Sequence, residues 1–140
     1  MERSKLIQTS WIIYGTALFI GLIFVGFIFV EAADTEAGSD GDQSYFAFSA
    51  EEISLYAGIS LFSIALLMIL WNRMKPPYHV AALTFVTSLF LHNLILSVTV
   101  GWVGLGAMIV LMFGTLLTAV MIVYIFMANR RLKKQLIVEG

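Results

Sequence analysis

Long apolar runs alternate with short polar connections along this chain, and four of the runs have the length of a membrane crossing. The first, Trp11 to Val30, reads WIIYGTALFIGLIFVGFIFV without a single charge, bounded by Arg3 and Lys5 on one side and Glu31 on the other. The second runs from about Ile53 to Trp71, the third from Tyr78 to Val100, and the fourth from about Val103 to Met127. A bilayer core takes about 20 apolar residues of helix, so each run can cross, with tilt where it is longer. The pattern predicts an all-α membrane protein. It is a single four-transmembrane-helix bundle over residues 1–140, with an acidic loop at 31–52 and a basic tail at 128–140.

Charge orients that bundle. The eight Lys and Arg residues fall in three places: Arg3 and Lys5, Arg73 and Lys75, then Arg130, Arg131, Lys133 and Lys134. Basic residues flanking spans stay in the cytoplasm, so both termini are expected there. Of the nine acidic residues, all but Glu2 and Glu139 lie between Glu31 and Glu52, in the connection that four crossings place outside. Trp11, Tyr14, Trp71 and Tyr78 at the inner level and Trp102 at the outer one suit interfacial aromatic belts. The expected location is the cell membrane, as a multi-pass protein. Val30 and Ala32 occupy positions that a signal peptidase inspects, but the first run exceeds the ~7 to 15 apolar residues of a signal peptide. It is therefore expected to stay as a span.

The connections carry their own signals. In FSAEEI, Ser49 and Glu52 have the spacing of a capping box and Phe48 and Ile53 that of a hydrophobic staple, which starts the second helix. Pro76 and Pro77 end the second helix and open the third. VGWVGLG, with Gly101, Gly104 and Gly106, permits a tight reversal that makes the third and fourth helices an antiparallel hairpin. NRRLKKQLIVEG continues the fourth helix, its cations suited to the helix C-terminus and to anionic lipid.

Composition narrows the chemistry. With 60% hydrophobic and 12% charged residues the chain is too apolar for a soluble domain. It has no cysteine, which excludes disulfides, thiolate catalysis and cysteine-held metal clusters. Asp40, Asp42, Ser44 and Glu51 have an EF-hand-like spacing, yet Tyr45 stands where the calcium loop needs Gly, so a solvated acidic loop is the better reading. Nucleophile elbows, phosphate loops and zinc motifs are absent, as is a basic aromatic surface for nucleic acid.

No Asp, Glu, Lys or Arg occurs within the four runs, which disfavours proton-coupled transport. The polar content at membrane depth is concentrated on the third run. At ~100° per residue, Thr84, Ser88, His92 and Thr99 share an arc of about 80°, while Asn93 points elsewhere, so this helix is expected to have protein neighbours on two sides. Interhelical hydrogen bonding is the expected role of His92 and Asn93. His92 and His79 are about 20 Å apart along one helix and point to different faces, so they cannot share a haem iron. A proton-relay or quinone-donor role for His92 would draw on Tyr56 or Tyr124.

Small residues repeat four apart once per span: Ala17 and Gly21, Ser54 and Gly58, Thr84 and Ser88, Gly114 and Thr118. Such pairs let helix backbones approach, and Met68, Met108, Met112 and Met121 add adaptable apolar surface. The expectation is a non-catalytic integral membrane protein without cofactor or metal. It would be an accessory or assembly subunit packing on a larger respiratory or transport complex, partnered by the lipid bilayer and by other membrane subunits or copies of itself. The alternative is a homo-oligomeric channel or small-solute transporter whose path is lined by the polar face of the third helix.

Overall fold

The computed structural model describes residues 3–38 and 44–138 and contains four long helices: α1 (Arg3–Gly38), α2 (Ala50–Trp71), α3 (Tyr78–Val98) and α4 (Gly104–Val138). All four are long and apolar enough to cross a membrane. The apolar runs explain why. They hold no proline and few groups that compete with the backbone, and in lipid each N–H and C=O must find its partner within the helix. The two central helices, of 22 and 21 residues, match a bilayer core at ~1.5 Å per residue. At 36 and 35 residues, α1 and α4 reach well beyond it.

Element boundaries differ from the sequence expectation in instructive ways. Residues 31–38, expected in the acidic loop, continue α1, because nothing in EAADTEAG stops a helix before Gly38. α2 begins three residues early, at Ala50, with the Ser49 hydroxyl accepting from the Glu52 N–H at 3.5 Å. Phe48 is 76% exposed and so does not act as a staple. α3 stops at Val98 rather than Val100. The β-branched Thr99 and Val100 are extended there, and this end of the helix pairs with Tyr45-Phe46-Ala47 through Ala47 N–H to Val98 O at 3.1 Å and Val100 N–H to Tyr45 O at 2.8 Å. Gly101 then reverses the chain at φ +74, where a side chain would be strained, and a 3₁₀ turn (Gly101–Val103) leads into α4.

α3 organises the packing. α4 and α1 lie on one side of it and α2 on the other, with the α3–α4 hairpin making the broadest contact. Half of the α3 span is buried, against about a tenth of α1 and of α2. Two apolar clusters join α1, α3 and α4. At the acidic end Val25, Ile28, Leu91, Ile95, Val103 and Ala107 meet under Tyr45 and Phe46 of the connecting segment. At the basic end Val80 and Ala81 pack on Met121 and Ile125. Small residues set the spacing. A Cβ at Gly106 would stand 2.6 Å from Ile28 Cδ1, and one at Gly114 would collide with the Ser88 side chain. α2, by contrast, buries only Ser60 and Leu67, seven residues apart on one stripe.

Gly114→Ala should therefore force α4 away from α3 and destabilise the protein by about 1–3 kcal/mol, as overpacking does. Gly15→Ala, where nothing lies within 4 Å, should leave stability unchanged or slightly higher. Thermal unfolding of both variants in the same detergent checks the contrast.

Candidate functional site

The polar residues of α3 separate into two faces. On one, the His92 ring is buried against α4, with Nδ1 2.9 Å from the Ala107 carbonyl oxygen. A carbonyl only accepts, so Nδ1 carries a proton and donates it to this bond. On the other, the Asn93 amide donates to the Ser60 hydroxyl of α2 at 3.0 Å, both side chains being buried. These two consecutive residues thus tie α3 to different neighbours. Among the described residues no buried side-chain nitrogen or oxygen is left without a partner.

The stripe Thr84, Ser88, His92 and Thr99 is divided rather than continuous. Thr84 and Ser88 donate to the carbonyls one turn back, Val80 and Thr84, and Thr84 also lies 3.6 Å from the Met121 sulfur. Hydroxyls that bond their own helix offer no free donor to a path. Thr99 has left the helix for the extended segment, its hydroxyl donating to Ile95 O.

Between the two apolar clusters lies an open-sided cavity of about 420 Å³, walled by α1, α3 and α4. It exists because Ala17, Gly21, Thr84, Ser88 and Gly114 put little volume at mid-depth. Its mouth is flanked by Ile20, Ile109 and Phe113, all exposed. The Tyr14 phenol and the Thr87 hydroxyl, 3.2 Å apart, bridge α1 and α3 on its wall. No carboxylate or amine lines it, so it can hold an apolar chain with a hydrogen-bonding end but has no acid–base pair for catalysis. Tyr14 enters the sequence reading only as an interfacial anchor, and Thr87 and Ser60 do not enter it. Hydroxyl residues on a neighbouring span are the signal that finds them.

Of the small-residue pairs, Ser88 faces Gly114, Thr84 lies against Met121, Thr118 is buried, and a Cβ at Gly21 would stand 3.3 Å from Leu91. Ala17 is half-buried at the cavity. Ser54 and Gly58 are exposed, and nothing lies within 4 Å of the position a Gly58 Cβ would take. They do not serve packing within the chain. The Trp71 and His79 rings meet edge to face at 4.4 Å, with Trp11 on the other side of His79 at 6.3 Å, so an aromatic cluster joins α1, α2 and α3 at the basic end.

Tyr124 lies roughly 25 Å along α4 from Ala107, out of reach of His92. Tyr56 is on α2, which is joined to α3 through Asn93. Asp40 and Asp42 lie outside the described residues, and among the described ones no three His, Asp or Glu converge as a metal site. Comparison with protein-family models, curated proteins and solved structures gives no match.

Asn93→Leu and Ser60→Ala should each loosen α2, and the double variant should cost less than their sum. The expected coupling is ~0.6 kcal/mol and at most ~1.7. Reversible unfolding in bicelles measures it, and strict additivity would show that the hydrogen bond contributes nothing.

Proposed function

We propose that this protein is a non-catalytic subunit of a larger assembly in the cell membrane, oriented with its basic end and both termini in the cytoplasm. The observation that carries the reading is the unpartnered state of α2. This helix meets the rest of the fold along the single stripe of Ser60 and Leu67, and its remaining surface, including the Ser54 and Gly58 pair, faces outward. Lipid alone does not require small residues at four-residue spacing on an exposed face, whereas a second helix packing closely does. The absence of acid–base groups from the cavity and the internal satisfaction of His92 and Asn93 support a structural rather than a chemical role.

A homo-oligomeric channel or small-solute transporter is the second reading, and one observation favours it: Thr84 and Ser88 do line the cavity. His92, Asn93 and Thr99 contribute nothing to that wall. A path through this chain would therefore run beside α1 rather than along the full polar stripe of α3.

The docking reading predicts a partner at stoichiometric level after gentle solubilisation. Gly58→Leu should abolish its recovery, and Gly15→Leu on the exposed face of α1 should not. Retention of the partner by both variants, or loss with both, would remove α2 as the docking surface. Solute flux in liposomes containing only this protein would instead select the transport reading.

A further inference from the structure

The basic end gathers cations, and among the described residues no carboxylate stands with them. Arg3 at the start of α1, Lys75 in the α2–α3 turn, and Arg130 and Lys133 on α4 line one groove of about 780 Å³. The other four cations of the chain, Lys5, Arg73, Arg131 and Lys134, lie outside it. Arg130 and Lys133, three residues apart, share one face of α4. The Arg130 guanidinium stands over the Phe126 ring, 5.7 Å from its centroid, a contact that keeps it on the groove wall. The described acidic residues all fall between Glu31 and Glu52, at the opposite end, and Glu2 and Glu139 lie outside the described residues. Three separate elements therefore deliver four like charges to one concavity, and their mutual repulsion is relieved when an anion enters.

Position, wall and charge specify that anion. Tyr78 is on the wall, and the Trp11, Trp71 and His79 cluster marks the same end of the bundle, the level at which aromatic residues meet lipid headgroups. Phe126 adds apolar surface on the membrane side of the cations, which a site for a free ion does not need and a headgroup with acyl chains does. Four positive charges exceed what one monoanionic headgroup neutralises. We propose that this groove binds a phospholipid whose headgroup carries two phosphates, held between the start of α1, the α2–α3 turn and the α4 extension, with its acyl chains leaving past Phe126 along the spans. The proposal requires only that the chain spans a membrane, and it is independent of docking through α2.

Native mass spectrometry tests it on the full chain, released from phosphatidylcholine vesicles doped with either diphosphatidylglycerol or phosphatidylglycerol. Expected are one retained diphosphatidylglycerol per chain and a preference of about 10-fold over phosphatidylglycerol. Arg3→Gln, Lys75→Gln, Arg130→Gln and Lys133→Gln combined should lower retention more than about 100-fold, at about fivefold per cation. Combining Lys5→Gln, Arg73→Gln, Arg131→Gln and Lys134→Gln removes the same charge from outside the groove and should leave retention nearly unchanged. Equal losses in the two variants would reduce the effect to general surface charge, and equal retention of both lipids would eliminate the two-phosphate headgroup. Displacement of the lipid by inorganic pyrophosphate at similar concentration would make the groove a site for soluble phosphates and overturn the proposal. Should a fourfold variant fail to fold, Lys75→Gln/Arg130→Gln against Arg73→Gln/Arg131→Gln makes the same comparison.

Discussion

A hydrogen-bonding group at membrane depth has no water to fall back on, and the arrangement of these helices follows from that constraint. α3 carries more buried polar side chains than any other helix, and α3 is the helix that the others surround. His92 finds a backbone carbonyl of α4 and Asn93 finds a hydroxyl of α2, about 100° around the helix. Each bond is modest in energy, but each excludes lipid from one face of α3 and so fixes which neighbour stands where. Apolar clusters above and below then hold α1 and α4 against the same side.

Close packing at the α3–α4 contact and looseness elsewhere have one origin, the distribution of small residues. Where glycine meets serine, as at Gly114 and Ser88, the backbones approach. Beside that contact, where Ala17 and Gly21 of α1 face Thr84 of α3, the small side chains leave a cavity. Where they face outward, as at Ser54 and Gly58, the surface stays unmatched within the chain.

Much of this was legible in the sequence. Apolar length gave four helices, and the angular positions of His92 and Asn93 gave α3 two protein neighbours. The helix ends were less readable. An acidic stretch without a breaker, residues 31–38, has the same propensity in a helix as in a loop, and the β-branched Thr99 and Val100 lie outside α3 because a distant segment offers them strand partners. Thr99, which helical periodicity puts on the polar stripe, lies past the end of α3 for that reason. Helix periodicity also says which residues share a face but not what faces them, so Ser60, Thr87 and the inward role of Gly106 required the tertiary arrangement.

The central place of α3 bears on how the protein is made. Chains emerge at about 5–20 residues per second, N-terminus first. α1 and α2 therefore enter the bilayer seconds before the helix on which both pack has been synthesised. Their nearly uninterrupted apolar surfaces let them wait in lipid as independent spans, whereas α3, with its histidine and asparagine, arrives when α2 is already present to receive one of them. The order of polarity along the polypeptide thus matches the order in which partners become available during biogenesis.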